Sequence, residues 1–162
     1  MKIFKNAISH DGCPCDVHHF DVDDLNGIPD EKILKAHAVC FCDGKMLLVN
    51  HGEWDIWGIP GGTRDPGESI EQTLKREILE ETNCEVLEYK PISYQKIISS
   101  DDAIHYRIHY ICNVIPLGDF EMDIDCSVHK IKWIDPGDFK KYIEKKECRE
   151  VVIQRAISLR AE

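Results

Sequence analysis

Three glutamates, Glu77, Glu80 and Glu81, constrain this chain more than any other feature. They lie in the stretch Gly61–Cys84, GGTRDPGESIEQTLKREILEETNC, where Glu68 adds a fourth carboxylate. On a helix, at about 100° per residue, the three fall within a wedge of about 100° on one face. At a spacing of roughly 5 Å and an effective dielectric of about 20, each like-charge pair costs about 3 kcal/mol. A hard divalent cation turns that repulsion into attraction, and Mg²⁺ favours a few carboxylates together with substrate phosphates. A purely solvated acidic face is the competing reading, and it suits one glutamate better than the whole set behind Pro60-Gly61-Gly62.

The local signals predict a helix from about Ser69 to Thr82. Pro66-Gly67 is a turn signal. Ser69 followed by Gln72 reads as a capping box. Ile70, Leu74 and Ile78 recur at i+4 and give an apolar stripe beside the acidic one. Asn83 suits the left-handed position that ends a helix. Arg76, one turn before Glu80, can pair with it or with Glu68.

These residues resemble the Nudix box, in which Gly is followed after five residues by Glu, and after seven more by Arg-Glu, an aliphatic, any residue and Glu-Glu. Gly62, Glu68, Arg76, Glu77, Ile78, Glu80 and Glu81 stand at the matching positions, and Trp57-Gly58-Ile59-Pro60-Gly61 is similar to the family's lead-in. Asn83 stands for the family's Gly and Cys84 for its aliphatic, both mild departures, since Asn tolerates φ > 0 and a free Cys packs as a small hydrophobe. The resemblance implies an α/β/α sandwich with a mixed β-sheet between helices, and hydrolysis of a nucleoside diphosphate linked to another moiety. It implies Mg²⁺, with Mn²⁺ as a substitute, ligated or organised by Glu77, Glu80, Glu81 and the Gly61 carbonyl. Glu68 and Arg76 are expected to hold the loop and helix in register. The chemistry fits the residues independently. Attack of water on a pyrophosphate needs charge neutralisation and an activated nucleophile, and Glu80 or Glu81 can take the water's proton.

At 162 residues the chain suits one domain. The expected division is an extension over residues 1–31 and a Nudix domain over 32–162, with C-terminal helices at about 138–160. No apolar run is long enough to span a membrane, and MKIFKNAISHDGC lacks an apolar signal core, so a cytoplasmic location is expected. A net charge of −10 argues against a nucleic-acid partner and leaves a small nucleotide as the expected one. A homodimer stays open. The eight cysteines are read as reduced thiols, with Cys40, Cys42 and Cys112 in the core. Cys13, Cys15, His18 and His19 are metal-ligand types, but their spacing does not match paired zinc knuckles.

Strands are expected at Ala36–Cys42 and Lys45–Asn50, joined by the Asp43-Gly44 turn, and at Trp54–Ile59. Further strands are expected at Glu85–Ser99, Ile104–Ile115 and Lys130–Ile134, and helices at Asp138–Lys145 and Arg149–Arg160. The order points to a mixed sheet covered by helices on both faces.

Outside the box, Trp54 and Trp57 are candidates for stacking on a base, with core packing as the competing reading. His105, Arg107 and His109 share one strand face, which either lines the phosphate cleft or faces solvent. Arg107 is the best substrate-binding candidate there, because its fork suits phosphate oxygens, and Gly62 is a second, by its place in the loop. His51 is a weaker basic candidate. Glu121, Asp123 and Asp125 lie where many relatives add an acidic ligand or base, and a solvated acidic loop is the alternative. The favoured substrate is a nucleoside triphosphate, an oxidised one included. A nucleotide sugar, a dinucleotide polyphosphate, a non-catalytic nucleotide sensor and a zinc-binding adaptor are the rivals.

Overall fold

The computed structural model describes residues 1–8, 14–52, 57–121, 128–143 and 147–161. In chain order the strands are β1 (Lys2–Ile8), β2 (Pro14–Asp21), β3 (Ile33–Cys42), β4 (Lys45–His51), β5 (Trp57–Gly58) and β6 (Gly61–Thr63). Helix α1 (Ile70–Thr82) follows, then β7 (Cys84–Ser99), β8 (Ile104–Pro116), β9 (Val128–Ile134) and α2 (Glu147–Ala161). Among the described residues the strands form one mixed sheet, in the order β1-β2-β7-β8-β3-β4-β5, with β6 paired to β3 and β9 to β4. The β3–β8 pairing is parallel, running from Ile33↔Tyr106 to Phe41↔Asn113.

β3 is buried on both faces, as expected of a strand with a parallel neighbour. Ala36, Ala38 and Cys40 join Ile108, Tyr110 and Cys112 of β8 beneath Ile70, Leu74 and Ile78 of α1. Val39 and Phe41 point the other way and pack with Leu48, Ile92 and Val152, Ile153 and Ala156 of α2. The result is the expected α/β/α sandwich. The β3–β4 turn is made by Asp43 (φ 45°) and Gly44 (φ 83°), the paired positive φ values a two-residue hairpin with right-handed twist requires. Cys40 and Cys112 are core residues, and Cys42 is only half-buried.

The first residues contribute directly to the sheet. β1 and β2 form a hairpin whose second strand pairs with β7 from Cys15↔Ser99 to Asp21↔Ser93. Near the other end of the chain, the segment expected to be an α-helix from Asp138 is instead a 3-10 turn, Pro136–Lys141. Tyr142 and Ile143 N–H both bond back to the Phe139 carbonyl, and Gly137 in the first turn lowers helix propensity. The end of that expected helix, residues 144–145, lies outside the described residues.

The end of α1 yields a stability prediction. Asn83 sits at φ 52°, ψ 38°, its N–H bonds the Leu79 carbonyl, its own carbonyl accepts from Leu117 N–H at 2.9 Å, and its Nδ2 donates to the Asp119 carbonyl at 3.1 Å. Asn83→Ala should lose about 1 kcal/mol to left-handed strain alone, plus the side-chain bond. Asn83→Gly loses only the tether and should fall between the two. Urea midpoints check the order, and an alanine variant as stable as the glycine one would contradict it.

Candidate active site

The loop before α1 is stitched to β3. Ala36 pairs with Gly62 and His37 with Gly61, and Ala38 N–H donates to the Pro60 carbonyl at 2.9 Å. The approach is close enough to require glycine. Gly61 has φ +136°, and a Cβ there would lie 2.2 Å from the Ala36 carbonyl oxygen and 2.5 Å from His37 Cα. A Cβ on Gly62 would sit 2.4 Å from both Glu77 carboxylate oxygens.

Ser69 caps α1 with the reciprocal Gln72 bonds expected of a capping box. The helix then presents its acids towards the loop. Glu81 is 5% exposed and its Oε2 accepts from Gly61 N–H at 2.8 Å. Arg76 organises the others. Its Nε and Nη2 fork onto the two Glu68 oxygens at 2.7 and 3.0 Å. Its Nη1 reaches Glu77 Oε1 at 2.9 Å and Glu80 Oε2 at 3.1 Å, and Nη2 also donates to the Thr63 carbonyl at 3.0 Å. The Arg76 hydrogen bonds, with Thr73 and the Asp65 amide helping, pull the Glu68 carboxyl down to about 2. Arg64 braces the loop from outside, donating to the Glu68 carbonyl at 2.6 Å and to Asp30 at 2.9 Å.

One guanidinium therefore hydrogen-bonds three carboxylates and lies 3.6 Å from a fourth, Asp65, with Glu81 beside them. The donors are hard oxygens on a rigid helix and a tight loop, and the arrangement is short of positive charge. That chemistry fits Mg²⁺, with Glu77, Glu80, Glu81 and the Gly61 carbonyl as the residues that would hold it.

The structure brings Gly61, Gly62, Glu68, Arg76, Glu77, Glu80 and Glu81 together and separates other candidates from them. Arg107 and His109 lie on the opposite face of the sheet from α1, since their neighbours Ile108 and Tyr110 face the helix. Trp57 is 5% exposed, packs in the α2-side core and has Lys132 4.6 Å from its ring, which favours the core reading. His51 is exposed at the end of β4, and Glu121 is exposed after β8. Trp54, Asp123, Asp125 and Cys13 lie outside the described residues. The Cys15/His18/His19 set does not assemble: strand alternation buries Cys15 and His19 on one face and turns His18 to the other. Among the described residues no three His, Cys, Asp or Glu side chains stand in metal-ligating geometry, the box acids being turned onto Arg76 and the Gly61 amide.

A NUDIX domain profile matches residues 32–155. The chain belongs to the NUDIX family. A Bacillus subtilis (strain 168) protein named "Putative 8-oxo-dGTP diphosphatase" is 32% identical over 108 residues, 66% of this chain and 68% of that protein. The B. subtilis pyrophosphohydrolase BsRppH superposes with a TM-score of 0.73 at 19% identity, over 98% of this chain and 97% of that one. The NUDIX domain of Shewanella oneidensis NrtR, solved with ADP ribose, gives a TM-score of 0.63 at 25% identity, over 85% and 95% of the two chains. With these relatives the chain is a hydrolase acting on phosphorus anhydrides. No helix of the described NUDIX chain is long and apolar enough to cross a membrane.

Sequence reading alone named His109 and His19 separately and missed His37 and the gathering of the three on the α2-side face. His109 is 3% exposed, with His37 of β3 and His19 of β2 at ring-centroid distances of 6.1 and 6.5 Å. His109 carried a signal on the basic strand face and His19 as a metal-ligand type, but their meeting did not, because the pairing of β3 and β2 with their neighbours is not written in the sequence. Burial, then the charges of Arg107 and neighbouring cations and histidines, holds His37 and His109 well below the usual imidazole range. In the unfolded chain both protonate near pH 6.5. The unfolded state thus binds more protons below that pH, and stability present above it falls as pH drops. The melting temperature should decline from pH 7.5 to 5.5, and His109→Gln should flatten that slope. An unchanged slope would contradict the assignment.

Proposed function

We propose that this protein is a Mg²⁺-dependent hydrolase of a pyrophosphate linkage in a small nucleotide, with Mn²⁺ able to substitute. The observation that carries the reading is the Arg76-centred set, in which Glu68, Glu77 and Glu80 converge while Glu81 is fixed to the Gly61 amide. When bound, the metal neutralises charge on the diphosphate and activates the attacking water. Glu77, Glu80, Glu81 and the Gly61 carbonyl are its proposed ligands. Glu68 locks Arg76, and Arg76 holds Glu77 and Glu80 in place. Glu80, whose side chain is 30% exposed, is open to a bound water, and Glu80 or Glu81 takes its proton.

A nucleoside triphosphate, an oxidised one included, is the favoured substrate, supported by the name of the B. subtilis relative. The ADP-ribose complex of the NrtR domain supports a second reading, a nucleotide sugar or a ligand-sensing role. The intact box acids favour turnover over sensing. A panel of nucleoside triphosphates, nucleotide sugars and dinucleotide polyphosphates with Mg²⁺ or Mn²⁺, read by product mass, tests the proposal. Cleavage within a pyrophosphate bond supports it. Binding of one compound without cleavage of any would support the sensor instead.

A further inference from the structure

Glu68 and Thr73 stand at the two positions that a hydrophobic staple joins. Ser69 is the N-cap of α1, so Glu68 is the residue before the cap and Thr73 the fourth residue of the helix. Apolar side chains at that pair often pack together and fix the angle at which the chain enters a helix. Here the contact is polar. Thr73 is 0% exposed, and its Oγ1 donates to Glu68 Oε2 at 2.9 Å. The Ser69 carbonyl, the ordinary acceptor one turn back, is farther away at 3.2 Å. A hydroxyl has one proton to give, and the carboxylate is the stronger acceptor.

The setting of Arg76 hangs on that bond. All five guanidinium N–H groups are engaged: Nε and Nη2 on Glu68, Nη2 also on the Thr63 carbonyl, and Nη1 on Glu77 and Glu80. Turning Glu77 and Glu80 to a cation empties Nη1. Arg76 then keeps three of its five bonds, and two of those three go to Glu68. Among the described residues the Glu68 carboxylate has two further donors, Thr73 Oγ1 and the Asp65 amide at 3.2 Å, both on Oε2. The amide bond is the longer and is exposed, whereas the hydroxyl comes from a buried side chain.

We propose that Thr73 is a positioning residue for the reaction. Its hydroxyl fixes the Glu68 carboxylate and, through it, Arg76, so that Glu77 and Glu80 turn to the cation from a set geometry. Thr73 falls within the seven-residue stretch between Glu68 and Arg76 for which the box specifies nothing. The inference rests on the reading of the box acids as metal ligands.

Two pairs of full-length proteins isolate the hydroxyl. The wild type and Thr73→Val differ by a hydroxyl exchanged for a methyl; Thr73→Ser and Thr73→Ala differ by the hydroxyl alone. Mn²⁺ affinity, read by electron paramagnetic resonance, should fall about tenfold from the hydroxyl member to the other in each pair. At limiting Mn²⁺ the kcat should fall with it, while the KM for nucleotide changes little, and excess Mn²⁺ should restore most of the rate. A side chain that only fills space gives a different order, with valine matching the wild type and serine falling together with alanine. The Arg76 Nε proton offers a readout free of metal and turnover. Its exchange with solvent should be slow in the wild type and Thr73→Ser and faster in the other two. Either pair alone decides, should one variant fail to fold. Equal Mn²⁺ affinities within the pairs, or equal Arg76 exchange, would overturn the assignment, and continued cleavage in those variants would leave the hydrolase reading standing. Affinities that follow the hydroxyl with no compound cleaved would uphold the assignment and remove the hydrolase reading.

Discussion

Glu80→Gln and Glu81→Gln should each lower turnover by about 10²-fold or more while the protein stays folded. Glutamine has the same shape and keeps one acceptor oxygen. The Gly61 amide can still find an acceptor at position 81, and Arg76 one at position 80. What disappears is the charge, and with it a ligand for a hard cation and a group able to accept a proton. The two variants should differ in detail. Glu81 is 5% exposed and pinned to the loop, so its replacement should weaken Mn²⁺ affinity as well as rate. Glu80 is more open, and loss of its charge should also relax Arg76, which it shares with Glu68 and Glu77. Steady-state rates, Mn²⁺ titration and a melting curve for each variant make the check. Wild-type rates in both variants on every hydrolysed compound would refute the proposed roles of these acids.

Gly61→Ala should be the most destabilising substitution in the loop, at about 3 kcal/mol or more. Its φ of +136° disfavours any side chain, and the added Cβ would meet the Ala36 carbonyl oxygen at 2.2 Å and His37 Cα at 2.5 Å. Both are backbone atoms of a buried strand, so relief requires breaking the β3–β6 pairing. Gly62→Ala makes the informative contrast. The atoms nearest its Cβ would be those of the Glu77 carboxylate, the far end of a flexible side chain. That variant should fold and lose activity, because Glu77 must swing away from Arg76. Urea unfolding of the pair separates the effects, and equal midpoints for Gly61→Ala and the wild type would contradict the first.

The box helix was legible because every signal in it is local. Ser69, Gln72, the Ile70–Leu74–Ile78 stripe and Asn83 each act within a few residues of one another, and helix, capping box and left-handed end all stand where the sequence places them. The acids and Arg76 follow from that helix. Hairpin β3–β4 was readable for the same reason. The long-range pairings were not. Nothing in β8 says that it runs parallel to β3, so the basic face at Arg107 could be seen without the imidazoles of His37 and His19 that gather beside His109. The helix expected from Asp138 failed because a Pro-Gly start and tertiary contacts decided a segment with weak propensity of its own.

Arg64 spans from the Glu68 carbonyl to Asp30, which precedes the segment where the family match begins. The start of the box helix is thus clamped from upstream, by a residue outside the stretch through which kinship is detected. Kinship and competence have different borders in this molecule: trimming it to the recognisable portion would keep every box residue yet remove one jaw of the vice that steadies them.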